Sequence, residues 1–239
     1  MSTSHEKPIL MSGEMVRAIL AGRKTETRRV VTPQPQWVYP GNAQRGVVFS
    51  AINGRTFGVA GFGLAQEQWC VPACPYGVPG DTLWLRETHY RFGRWVRNGK
   101  TATGAQRWRF VAVGGTSCRF AVGDLQQMNI GKRSDRGMGI DHWWKRPSIF
   151  MPRWASRWTL RVGAVRVERL QDITEAGAIA EGVFPSRLYS DDMRATHKNS
   201  EYICAYRELW DKINAKRGYG WDKNPWVWVI EFAKVEARP

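Results

Sequence analysis

Apolar positions along the first thirty residues change period twice. In "KPILMSGEMVRAILAGRKTETRRVV" a short extended lead-in gives way to helical spacing, with Met15, Ile19 and Leu20 on one face. Ser12 is suited to the N-cap of that helix and Gly22 to the position just past its end. Beyond Gly22 the pattern alternates. Lys24, Glu26 and Arg28 are expected to face one way, and Thr25, Thr27 and Arg29 the other.

Further on, "VTPQPQWVYPGNAQRG" reads as a Pro-rich loop, and "VVFSAINGRTFGVAG" as a hairpin turning at Asn53-Gly54. Pro79-Gly80-Asp81 sets the start of a strand from Thr82 to Tyr90. Residues 91–146 show little periodicity and read as a long insertion. "RWTLRVGAVRVERLQDI" alternates as one or two strands, and "TEAGAIAEGV" follows as a short helix capped by Thr174 or Asp172. "SEYICAYRELWDKINAK" is an amphipathic helix whose stripe is Tyr202, Ile203, Tyr206, Leu209, Trp210 and Ile213. "NPWVWVIEFAKVE" closes the chain as a strand. This order predicts an α+β fold: one domain over 1–239, built on a mixed β-barrel with flanking helices and insertions at about 32–73 and 91–147.

Composition adds a partner class. A chain that is 43% hydrophobic, with thirteen Trp, can bury a core. Its 36 Lys and Arg against 21 Asp and Glu leave +15 at pH 7, a field that attracts polyanions, of which nucleic acid is the commonest. Residues 91–146 hold twelve Lys/Arg against three Asp and so supply nine of those charges. That region is the expected nucleic-acid contact. Four cysteines are too few for a disulfide framework, and no apolar run approaches a membrane span. A reduced, cytoplasmic protein with no membrane partner is therefore expected.

Several familiar chemistries lack their motifs. Cys70 and Cys74 have no matching second pair, and His89, His142 and Cys118 stand at no zinc-ligand spacing, so no metal and no cofactor is expected. No phosphate-binding glycine loop or dinucleotide fingerprint occurs. What remains is the cluster "ILAGRKTETRR". A lysine kept partly neutral by burial or by neighbouring arginines could take a proton from a threonine hydroxyl, which points to Lys24 and Thr27. A carboxylate partner is needed, and Glu26, Glu87 and Glu181 are the candidates. The plainer alternative is a solvated basic strand.

"MVRAILAGRKTETRRVV", "CPYGVPGDTLWLRET", "RVERLQDITEAGAIAEGV" and "NPWVWVIEF" together resemble the ASCH-domain proteins of the PUA-like superfamily, whose long forms occur in phages and prophages. The resemblance implies a PUA-like barrel. Small bacterial members are amidohydrolases that deacylate N4-acetylcytidine with a lysine, a threonine and a glutamate. Matched motif by motif, these fall on Lys24, Thr27 and Glu181. Under that resemblance Arg29 is a candidate for holding the oxyanion and Glu87 for contacting substrate. Trp84, Trp226 or Trp228 would wall a flat pyrimidine. The implied partner is a modified nucleoside or RNA. PUA-like domains often bind RNA and some ASCH proteins are nucleases, so a binding module and a ribonuclease stand as the alternatives.

Overall fold

The computed structural model describes residues 5–38, 68–70, 73–115, 117–123, 128–185 and 200–235. The hairpin expected at Asn53-Gly54 lies outside them. Eleven strands and three α-helices are present among the described residues. Five strands form one sheet in the order β1 (Glu6–Leu10), β5 (Thr82–Arg86), β10 (Thr159–Arg169), β11 (Trp226–Val235), β2 (Glu26–Val30). The short strands β3 (Gln36–Val38) and β4 (Gln68–Cys70) pair with each other. A third sheet joins β6 (His89–Lys100), β7 (Gln106–Ala112), β8 (Cys118–Phe120) and β9 (His142–Arg146). The architecture is mixed, with sheets dominating and few helices. Among the described residues the five-stranded sheet is open, with β1 and β2 at its two ends, where a closed barrel was expected.

Two compact units are present. The described residues of 1–7, 18–83 and 160–235 form one, and those of 8–17 and 84–159 form the other.

Local signals explain most of the elements. Helix α1 (Gly13–Leu20) starts where Ser12 Oγ accepts the Met15 N–H at 3.3 Å, and the chain leaves it through Gly22 at φ 71°. Helix α2 (Glu175–Ala180) is capped by Thr174, whose hydroxyl accepts from the Gly177 N–H at 3.1 Å; Asp172 ends the preceding 3₁₀ turn instead. Helix α3 (Glu201–Asn214) is capped by Ser200, and it buries Ile203, Tyr206 and Trp210 as its stripe predicts. Ile213 departs from that stripe and is 52% exposed. The buried side chains of α2 and α3 cluster with Val227 and Val229 of β11 and with Leu170, Ile173 and Trp221. Each large side chain removed from water in this way contributes about 1.5–3 kcal/mol.

Two expectations need correction. The strand predicted over Thr82–Tyr90 is broken: β5 ends at Arg86, and β6 starts at His89 after the buried Glu87. Residues 91–146, expected as an irregular insertion, carry most of a regular antiparallel sheet, with Phe92 opposite Trp143 and Trp95 opposite Phe110. Both faces of that sheet bear arginine and aromatic side chains. The contrast between apolar and polar positions that marks a half-buried strand is therefore missing.

Candidate active site

Among the described residues strand β2 ends its sheet and pairs with β11, with Thr27 opposite Ile230 and Arg28 opposite Val229. Its other edge carries backbone groups that a neighbouring strand would normally satisfy. Residues just past α2 take that place. Lys24 and Glu181 form an isolated antiparallel bridge, and the Thr25 N–H donates to the Ala180 carbonyl at 2.8 Å. Residues paired in this way project their side chains to the same side, so the bridge alone sets the lysine beside the glutamate.

Their side chains complete the edge. Lys24 Nζ donates to Glu181 Oε2 at 2.6 Å, to the Glu181 carbonyl at 2.9 Å and to the Glu26 carbonyl at 2.7 Å. An ammonium has three N–H donors, and all three are used. The second carboxylate oxygen, Glu181 Oε1, accepts the Arg28 backbone N–H at 2.5 Å. The peptide groups on either side of Thr27 are thus held by one ion pair. Lys24 and Thr27 are each 3% exposed and Glu181 4%.

Two glycines in "TEAGAIAEG" make this approach sterically feasible. A Cβ on Gly182 would lie 2.8 Å from Lys24 Cβ and 2.9 Å from Ala18 Cβ, and Gly182 has φ 77°. Any side chain there would collide and be strained. A Cβ on Gly177 would meet the Arg28 guanidinium at 2.9 Å.

Around the pair lies a wider ionic network. Arg28 reaches Glu26 at 3.2 Å and both Glu168 and Glu181 at 3.6 Å. Glu26 stands directly opposite Glu231 across β2 and β11, a pairing of like charges that is unfavourable alone. The Arg166 guanidinium, from β10, bridges the two and also holds Glu168. Burial pushes the Lys24 ammonium below its ordinary range, with Arg29 and Arg28 acting in the same direction; Glu181 opposes the shift without cancelling it. Buried Tyr206, from α3, is hydrogen-bonded to Glu181, and burial followed by the Glu181 charge raises its hydroxyl well above the usual tyrosine range.

The sequence-predicted residues divide accordingly. Lys24 and Glu181 are brought into contact. Thr27 is buried between the two backbone groups they hold, but the three Lys24 donors end on Glu26 and Glu181 and none on Thr27. Arg29 is half-buried, and its charge acts on both Lys24 and Tyr206. Trp228 is 1% exposed, one of the largest fully buried side chains, so no face of its ring is open for stacking. Trp226 is half-buried with the Arg169 guanidinium 4.4 Å from its ring centroid. Trp84 and Glu87 fall in the other unit. There the Arg86 guanidinium lies 5.3 Å from the Trp84 ring centroid, and buried Glu87 takes two hydrogen bonds from Arg157, at 2.9 and 3.2 Å.

Sequence reasoning missed Tyr206, which the apolar stripe had absorbed, and the steric roles of Gly177 and Gly182. The quoted "TEAGAIAEG" contained the signal for the glycines, since two glycines within a helix and its exit call for a packing reason. Among the described residues no group of three or more His, Cys, Asp or Glu is placed to hold a metal ion. None of their helices is long and apolar enough to cross a membrane. No family model, curated protein or solved structure matches the chain.

Proposed function

We infer that the chain is an ASCH-type protein with a PUA-like fold, and that Lys24, Thr27 and Glu181 hydrolyse the amide of N4-acylated cytidine without a metal or cofactor. What carries the reading is the buried Lys24–Glu181 pair at 2.6 Å, in which the lysine is held below its ordinary pKa beside a threonine. A buried amine shifted in this direction is a poised base.

Glu181 takes a proton from Lys24, whose Nζ gives up its bond to the Glu26 carbonyl and accepts the Thr27 hydroxyl proton. Thr27 Oγ adds to the amide carbonyl carbon. Nζ then delivers the proton to N4 as the C–N4 bond breaks, so cytidine leaves and an acyl ester remains on Thr27. Water gives a proton to Nζ and adds to that ester; Nζ passes the proton to Thr27 Oγ as the acyl C–Oγ bond breaks, releasing the carboxylic acid, and Glu181 then returns its proton to Lys24. Arg29 is the candidate for holding the developing oxyanion. Lys24 and Thr27 are each only 3% exposed, which favours a small acyl group such as acetyl. The acylated base would be a free nucleoside or part of an RNA.

One observation favours a second reading. The ion pair closes the open edge of β2 and uses every Lys24 donor, as a purely structural clamp would. The chain would then be a nucleic-acid-binding module without catalysis. Chromatography of N4-acetylcytidine incubated with the protein separates the two. The hydrolase reading expects equimolar cytidine and acetate, and none of either from Lys24→Ala. Intact substrate after incubation with the folded wild-type protein would leave the clamp. Cleavage of RNA by the wild type with no deacylation would instead indicate a ribonuclease.

A further inference from the structure

The β6–β9 sheet presents two unlike faces, and the register assigns each side chain to one of them. On one face Arg146 lies 5.1 Å from the ring centroids of both Trp95 and Phe110, and Trp95 packs edge-on against buried Trp144. That face is filled. On the other, Phe92 stands opposite Trp143, Arg94 opposite Val111, Val96 opposite Arg109, and Tyr90 opposite both Lys145 and Arg119. Phe92 and Trp143 are half-buried, with ring centroids 5.5 Å apart, while Arg109, Arg119 and Lys145 are exposed. The Arg119 guanidinium lies 5.5 Å from the Trp143 ring centroid. A cleft of about 340 Å3 opens there, lined by Ser117, Cys118, Arg119 and Trp143, within the ~300–1,000 Å3 range of small-ligand sites.

We propose that this face, centred on Phe92 and Trp143 and rimmed by Arg109, Arg119 and Lys145, binds single-stranded nucleic acid, with an unpaired base stacked on Trp143 and phosphates held by the cations. Aromatic rings on a sheet face with cations around them offer base stacking and backbone neutralisation together. The charge is complementary, since residues 91–146 supply nine of the fifteen net positive charges. An incoming base takes the place of the Arg119 guanidinium on the Trp143 ring, freeing that cation for a phosphate. Duplexes keep their base faces stacked on one another and cannot use the ring. The inference stands apart from the chemistry at Lys24: it concerns the other unit and needs no acyl group.

Fluorescence anisotropy of labelled oligo(U) and oligo(dT) twelve-mers, beside a duplex of equal length and polyglutamate as competitor, tests it on the full chain. Preferential binding of either single strand is the expected result, with affinity falling as salt rises. Trp143→Ala is expected to weaken that binding by about 5- to 150-fold, the worth of one stacked base, while leaving the salt slope unchanged. Arg119→Ala, at an exposed position, is expected to lower the slope by about 0.7, one phosphate on a single strand. Near-UV circular dichroism confirms that each variant is folded, and Trp143→Leu replaces Trp143→Ala if the latter is not. A duplex bound as tightly as the single strand, equal competition by polyglutamate, or folded Trp143 variants with undiminished affinity would each overturn the proposal.

Discussion

The two units spend their charge in opposite ways. Around the candidate site, buried and half-buried cations are paired with carboxylates: Lys24 with Glu181, Arg28 with Glu26, Glu168 and Glu181, and Arg166 with Glu26, Glu168 and Glu231. In the other unit six of the thirteen arginines lie on rings, and two, Arg94 and Arg157, reach carboxylates. Arg91 stacks over Trp154, Arg119 over Trp143, Arg136 over Trp95 and Arg146 over three aromatic rings. Carboxylates neutralise a cation; rings hold its stem and plane but leave its charge. The first arrangement fixes a geometry in a closed interior. The second keeps a field directed at solvent, and it accounts for the protein's net charge sitting where it does.

That contrast can be broken most sharply at Glu181. Replacing it with Ala leaves Lys24 buried without its counter-charge, and the expected loss is about 3–5 kcal/mol in urea unfolding. Glu181→Gln, which keeps the side-chain volume, is expected to lose less.

Acid probes the other unit. Burial, with Arg146, Arg91 and Arg86 adding to it, pushes His89 down from 6.5 to about 4. Because the folded pKa lies below the unfolded one, this contribution is fully present above pH 6.5 and is lost as pH falls through about 4. The gap between 6.5 and about 4 corresponds to at most ~3.4 kcal/mol. Unfolding midpoints measured from pH 7 to pH 4 should fall more steeply in the wild type than in His89→Phe; parallel profiles would refute that role.

Gly182→Ala tests the steric half of the candidate site. It forces a Cβ against Lys24 and Ala18 at a left-handed backbone position, at an expected cost of about 1–3 kcal/mol by thermal melting. The smallest effect is expected at Arg119→Ala, within about 0.5 kcal/mol in the same assay, because an exposed cation over a ring holds little of the fold together. A larger loss there would assign the cation–ring stacks to stability and weaken the contrast.

Legibility in the sequence followed contrast. Helices α1 and α3 were legible because each sets apolar positions against polar ones at a helical period, and the closing strand β11 because its apolar run is continuous and buried over Val227–Ile230. The β6–β9 strands were not, since arginine and tryptophan occupy both faces and an arginine lying on a ring satisfies neither category. At the site, the change from helix to strand after Gly22 was readable, but the partner was not: 157 residues separate Lys24 from Glu181, and only the resemblance to the ASCH motifs selected that carboxylate over Glu26 and Glu87. Tyr206 carried the opposite problem. Its position in an apolar stripe is real, and nothing in the spacing reveals that its hydroxyl reaches the glutamate.

Activation of Thr27 by the buried pair is what the proposed hydrolysis depends on. Its most direct test follows the ultraviolet shift from N4-acetylcytidine to cytidine under the wild-type protein and Thr27→Ala at equal folded concentration. Turnover by the wild type and none by the variant is the expected result. Equal rates from both proteins, or no conversion by either, would contradict it.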